Sequence, residues 1–208
     1  MKILHISDIH YSSNYGNYRN GYKKMVAKMD NPLIHLKESL AHAKRNHEID
    51  LLLISGDLTE DGSVEDYLFL RKWLEKEMPN VPIVVTLGNH DIKEHFYSGW
   101  LGEPDRIGPY NQVVPFEQCY VISFDSSVFG LSDGQVTEEQ FNWLEKALKT
   151  HHDNPIIVMT HHHLLEEQSS INPLPQSERL LNMLNDYSVT CVLNGHTHHS
   201  FSKKINGL

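Results

Sequence analysis

The chain has 208 residues, enough to bury a sizeable core within a single domain spanning 1–208. Its composition, 39% hydrophobic and 22% charged, is that of a globular protein, and no apolar run approaches the roughly 20 residues a membrane helix needs. A net charge of -9 with histidine neutral argues against nucleic acid as a partner, since a large nucleic-acid footprint needs a basic stripe.

A first strand is expected over 2–7, KILHIS, leading into Asp8 and His10. His5 within it reads as a satisfied core histidine. This N-terminus lacks the apolar stretch and small-residue cleavage site of a secretory leader, so a cytoplasmic location is expected. Residues 11–31 are irregular. Tyr11, Tyr15, Tyr18 and Tyr22 are interleaved there with Arg19, Lys23, Lys24 and Lys28, which fits a substrate-facing lid or a solvated surface loop. Leu33, Leu36, Leu40 and Ala43 space one face of a helix. LLLIS (51–55) is a second strand and runs into Gly56 and Asp57. Val64, Leu68, Trp73 and Met78 belong to a second helix with acidic residues near its start. PIVVTL (82–87) is a third strand, followed by Gly88, Asn89, His90 and Asp91. Residues 92–117 are irregular, and Tyr97, Trp100 and Tyr110 are expected at a site rim.

CYVISF (119–124) is a fourth strand. Thr137 and Gln140 form a capping-box pattern ahead of Phe141, Leu144 and Leu148. IIVMT (156–160) is a fifth strand, ending at His161, His162 and His163, and 161–176 is irregular. A last helix is expected over Ser177 to Asn185. VTCVLN (189–194) is a sixth strand, ending at Gly195, His196, Thr197 and His198. Cys119 and Cys191 lie inside apolar runs and read as reduced core thiols.

Most of these strands are continuously apolar, as in strands covered on both faces, and they alternate with helices. An α/β fold with a largely parallel sheet follows. Ligands of such sheets bind outside the carboxyl ends of the strands. Five strand ends here deliver Asp, Asn or His to that edge. Asp8, His10, Asp57, Asn89, His161, His196 and His198 offer oxygen and imidazole donors without a thiolate, which favours Mn, Fe, Zn or Ni over a structural zinc site. There are more donors than one ion needs. A carboxylate bridging two ions would hold them roughly 3.5–4 Å apart. The glycines preceding Asp57, Asn89 and His196 let backbone come close to the ions.

DIH, GDLT, GNHD, the histidine block at 161 and GHTH together resemble the signature blocks of the calcineurin-like metallophosphoesterases, over about residues 2 to 201. FDSS followed by GQVTEEQFNWLEKAL resembles the linking segment of bacterial members related to cyclic-nucleotide and glycerophosphodiester phosphodiesterases. The resemblance implies an α/β fold with a central β-sandwich of two mixed sheets flanked by helices, a four-layer αββα arrangement. It implies two divalent metal ions, one held by Asp8, His10, Asp57 and His198, the other by Asp57, Asn89, His161 and His196. His90 would be the catalytic acid, with Asp91 orienting it through a hydrogen bond. Of the histidine block His161 is the expected ligand and His162 the alternative, because a proline common near 163 is replaced by His163. His199 is expected at the surface. The chain stops ten residues after His198, where family domains continue with further strands, so either the sheet is truncated or those strands are dispensable, and the oligomeric state is open.

The function these residues imply is metal-assisted hydrolysis of a small organic phosphoester, a phosphodiester first, without a covalent enzyme intermediate. A nuclease, a protein phosphatase and a metal-bound scaffold without turnover are the competing readings. The acidic balance counts against the first, and the full ligand set with His90 against the last.

Overall fold

The computed structural model describes residues 1–14, 28–187 and 189–205. Tyr15, Tyr18, Arg19, Tyr22, Lys23 and Lys24 lie outside the described residues. Two sheets carry the strands. The first has β1 (Ile3–Ile6), β2 (Leu51–Ser55) and β3 (Ile83–Thr86) in that order, all parallel. The second has β4 (Gln112–Pro115), β5 (Tyr120–Ser123), β6 (Ile156–Met159) and β7 (Cys191–Leu193), with only the β4–β5 pair antiparallel.

Alternation along β2 explains why its run is apolar throughout. Leu52 and Ile54 pack with the helical layer of the first sheet, beside Leu40, Tyr67, Leu70 and Leu74. Leu51 and Leu53 face the other way, onto Val121, Ile157 and Met159 of the second sheet. A third apolar layer, with Ile122, Phe141, Leu144, Leu180 and Leu184, covers the second sheet's outer face. Helix, sheet, sheet, helix is therefore the layer order. A Ser123 hydroxyl donating to Val85 O at 2.8 Å ties the sheets together.

The helices end where local chemistry says they should. Helix α1 (Pro32–Asn46) has Asn31 as its N-cap and proline in its first turn. In α2 (Val64–Glu77) Ser63 and Asp66 form a capping box. The buried face of α2 is Tyr67, Leu70 and Leu74, and Leu68 lies exposed. Beyond a short helix α3 (Lys93–Phe96), helix α4 (Glu138–His151) carries the expected Thr137–Gln140 box, and α5 covers Ser177–Asp186.

The stretch 92–117 departs from expectation. It contains α3, a π-helical turn (Tyr97–Leu101) and strand β4. Its aromatics are core, not rim. Tyr97, Trp100 and Tyr110 are buried, with ring centroids 5.8, 5.9 and 4.8 Å from that of Phe96. Tyr11 is likewise buried, stacked on Phe69 at 5.1 Å. Large flat rings bury far more area here than they would as substrate contacts. Cys119 and Cys191 are both free thiols. No helix among the described residues is long and apolar enough to cross a membrane.

Candidate metal centre

The loops leaving β1, β2, β3, β6 and β7 bring their polar residues to one place. Nε2 of His161 lies 3.3 Å and Nε2 of His10 3.6 Å from Asp57 Oδ2. His198 Nε2 lies 3.4 Å from both Asp8 Oδ1 and His10 Nε2. Donor atoms of Asp8, His10 and His198 fall within 4.8 Å of one another, as do those of Asp8, Asp57 and His161. His196 joins through His161, the ring centroids being 5.1 Å apart.

Backbone shape makes this convergence possible. Asp8, His10, Asp57, His196 and His198 all have left-handed backbone, with φ of 55, 49, 49, 70 and 53°. Such a conformation costs a non-glycine residue of order 1–3 kcal/mol and persists only where surrounding structure imposes it. Hydrogen bonds impose it here. Asp8 N donates to Gly56 O at 3.1 Å and His10 N to Asp57 O at 2.9 Å. His196 N donates to the Asp8 carboxylate at 3.1 Å, and His90 N to Asp57 Oδ1 at 2.9 Å.

Of the glycines, Gly56 needs its left-handed φ of 93°, whereas Gly88 is required for space. A Cβ on Gly88 would overlap Asp57 Oδ1 and lie 2.5 Å from Asp57 N. Gly88→Ala should therefore displace the Asp57 carboxylate, costing about 1–3 kcal/mol of overpacking and weakening metal uptake. Thermal melts with and without added Mn²⁺ check this, and the shift produced by the ion should shrink in the variant.

The residues present fit a pair of ions. Asn89 Oδ1 is buried without a hydrogen-bond partner, a costly state for protein alone that a cation would relieve. His161 Nε2 is buried beside the Asp57 carboxylate, 3.3 Å from its Oδ2. Charge balance tells the same story. Burial would push the Asp57 pKa up, but His161 and then His10 hold it far below the usual carboxylate range. Burial would lower that of His161, yet Asp57 raises it to about 9, so in the ion-free protein a proton supplies the positive charge. Burial, aided by His161, drops His196 to about 4.

Asp91 does not orient His90. It is fully buried, and its oxygens accept from Leu58 N, Thr59 N, Gly88 N and Tyr67 Oη at 2.9–3.1 Å. Backbone N–H groups of two loops converge on it, so it braces the Gly88–Asp91 turn against the loop after β2. Burial and then Asp57 push its pKa up. The carboxylate that reaches His90 is Glu60, with Oε2 3.2 Å from His90 Nδ1 and 2.8 Å from His10 Nδ1. Although burial opposes it, these histidines hold Glu60 down to about 2. An ionised carboxylate only accepts, so both Nδ1 atoms carry protons, and His10 Nε2 faces Asp57 and His198. The His90 pKa is raised, burial being outweighed by Glu60 and Asp57. Glu60 carries no signal in the sequence, since it follows GDLT as one more acidic loop residue.

His5 Nε2 pairs with Ser55 Oγ at 2.8 Å, and His199 is exposed. The FDSS segment clamps the GNHD loop. Lys93 pairs with the buried Asp125 carboxylate and donates to Ser127 O at 2.9 Å, and Gly130 N donates to Asn89 O at 3.2 Å. Lys93→Met would leave Asp125 buried without its cation. The expected loss is about 3 kcal/mol in denaturant unfolding of the metal-free protein.

A two-sheet sandwich with aspartate, asparagine and histidine donors gathered at its strand ends defines the phosphoesterase class of metal proteins. The calcineurin-like phosphoesterase family model matches residues 1–200, and the chain belongs to that family. It is 29% identical over 164 residues to a probable cyclic nucleotide phosphodiesterase of Rhodococcus erythropolis, covering 76% of this chain and 54% of that protein. It is 29% identical over 167 residues to the 3',5'-cyclic adenosine monophosphate phosphodiesterase CpdA of Escherichia coli K12, covering 77% and 58%. With a probable glycerophosphodiester phosphodiesterase GpdQ of Arcobacter nitrofigilis it shares 27% over 208 residues, covering 95% and 72%. The chain thus spans little more than half the length of the first two relatives. Among solved structures, TT1561 of Thermus thermophilus superposes with a TM-score of 0.58 at 14% identity, over 92% of this chain and 80% of that one, a likeness of fold.

Proposed function

We propose that the chain is a dinuclear metal-dependent hydrolase of a phosphodiester bond in a small organic phosphate. The observation that carries this is the convergence of Asp8, His10, Asp57, His161, His196 and His198, with Asn89 Oδ1 buried and unpartnered, beside a His90 whose Nδ1 is held by Glu60. Asp8, His10, Asp57 and His198 would hold the first ion, and Asp57, Asn89, His161 and His196 the second, with Asp57 shared. The donor set suits Mn, Fe, Zn or Ni. The relatives are named for diesters of quite different kinds, cyclic nucleotides and glycerophosphodiesters, so the diester is the common chemistry. Residues 1–208 acting as one domain, in the cytoplasm where Cys119 and Cys191 stay reduced, complete the proposal.

When bound, two such ions supply Lewis acidity at the phosphoryl oxygens and lower the pKa of water toward neutrality. The chain's own residues do the rest. Asp57 and Asp8 bring the negative charge that retains the ions. His10 presents its Nε2 lone pair because Glu60 accepts from its Nδ1. His90 keeps a proton on Nε2 for the departing alkoxide, since Glu60 accepts at Nδ1 and raises its basicity.

The test is hydrolysis of bis-p-nitrophenyl phosphate beside p-nitrophenyl phosphate, on metal-stripped protein with Mn²⁺ restored. Diester turnover that returns with the ion supports the proposal. Turnover of the monoester alone replaces it with a phosphatase, and two bound ions without turnover replace it with a scaffold.

A further inference from the structure

His162 was expected only as an alternative to His161, yet the two rings are held alike and at once. His161 Nδ1 is anchored on Ser55 O at 2.8 Å, leaving Nε2 for the site. His162 repeats that arrangement. Its Nδ1 lies 2.7 Å from Ser126 Oγ, and its Nε2 is buried with no hydrogen-bond partner. Metal-binding histidines almost always tie down their second nitrogen in this way, which fixes the ring and raises the basicity of the free one. The ring has no freedom to swing elsewhere. It packs on Gly134, where a Cβ would lie 2.5 Å from both Nδ1 and Cε1. Donor atoms of His161, His162 and His196 fall within 4.8 Å of one another, and the His162 and His196 ring centroids are 4.8 Å apart. His163 is excluded from that group, and its Nε2 turns away to Ile171 O at 3.3 Å.

We infer that His162 is a further ligand of the second ion, standing beside His161 and His196 rather than replacing either. The inference rests on the dinuclear reading. It makes the two positions chemically unequal. The first has two carboxylates, Asp8 and Asp57, with two imidazoles. The second has three imidazoles and Asn89 around the single charge of Asp57. Imidazole-rich sites favour Zn, Ni or Fe over the harder Mn, so the second position should be the more selective for borderline ions.

The test uses the full chain stripped of metal and reloaded with Co²⁺, whose paramagnetism shifts the exchangeable N–H protons of ligand imidazoles out of the protein envelope in proton NMR. Five such resonances are expected from His10, His161, His162, His196 and His198, and four from His162→Phe, which keeps the ring volume. In parallel, one of the two Zn²⁺ equivalents should bind about 100-fold more weakly to His162→Phe and about 10-fold more weakly to Ser126→Ala, with the other unchanged. Ser126→Ala removes the anchor, together with the bond Thr160 Oγ1 donates to Ser126 Oγ, but keeps the imidazole, and it decides the matter should His162→Phe fail to fold. Equal resonance counts in a folded His162→Phe overturn the inference, as does unchanged zinc affinity in Ser126→Ala. Fewer than two Co²⁺ per wild-type chain overturns the dinuclear reading instead. The ligand role then stands or falls on whether His162→Phe weakens the one ion that binds.

Discussion

Replacing His90 with alanine should lower diester turnover by roughly 10²–10⁴-fold while both ions remain bound. The expectation comes from how Glu60 holds its ring. Nδ1 is 3.2 Å from the buried Glu60 carboxylate, so the proton available for chemistry is on Nε2. None of the seven donors assigned to the ions is lost, and metal content by elemental analysis should be unchanged. The loss should also depend on the leaving group. A p-nitrophenolate needs little help in departing, whereas an alkoxide does, so the deficit should be larger for an alkyl diester than for bis-p-nitrophenyl phosphate. Wild-type turnover in the variant on both substrates would remove His90 from the mechanism.

Asp57→Asn is expected to be more damaging, with turnover falling by more than about 10³-fold and fewer than two ions retained. Asp57 is the one carboxylate the two proposed metal positions would share, and without an ion it is the charge that faces His161 at 3.3 Å. The pH dependence follows from those two groups. The Asp57 pKa is depressed, since His161 and His10 outweigh burial, so its contribution is complete above its unfolded value of about 3.9 and fades as pH falls further. The His161 pKa is raised to about 9 because Asp57 outweighs burial, so its contribution is complete below an unfolded value of about 6.5. It is lost as pH climbs toward about 9. The ion-free pair therefore stabilises most between about pH 4 and 6.5. At pH 7 an arriving cation must displace the His161 proton. Calorimetry in buffers of different ionisation enthalpy should show close to one proton released with metal in the wild type. In Asp57→Asn that release should largely vanish, because His161 no longer has a reason to hold its proton.

Much of the site was legible from residue type and position alone, because strand ends are easy to find and few chains end five of them in Asp, Asn or His. Register within a strand and the presence of a strand are different matters. Strand β4 went unseen because QVVP is short, ends in proline and is held by pairing with β5 rather than by its own pattern. The aromatic cluster of Tyr97, Trp100 and Tyr110 read as a rim because sequence shows only that such rings follow GNHD, not that Phe96 waits to pack against them. Glu60 takes the place expected of Asp91 for a related reason. Adjacency in the chain put Asp91 next to His90, but the turn that presents His90 points the neighbouring carboxylate inward, toward the N–H groups of Gly88, Leu58 and Thr59. Glu60 arrives from another loop. The left-handed backbone at five donors was equally invisible, since Asp and His carry no mark of it in sequence as glycine does.

The donors are divided between the two sheets. Asp8, His10, Asp57 and Asn89 follow strands of the first, and His161, His196 and His198 follow strands of the second. No disulfide crosses between them, both cysteines being free. An ion gripped from both sides is then a rivet through the sandwich, and its binding energy is counted in the unfolding energy of the whole. At a free ion concentration 100 times the dissociation constant that linkage adds about 2.7 kcal/mol, which a chelator would withdraw. Starvation for metal would thus do more than silence the centre. It would loosen one half of the molecule from the other and expose the apolar layer of Leu51, Leu53, Val121 and Met159 to proteases and to aggregation.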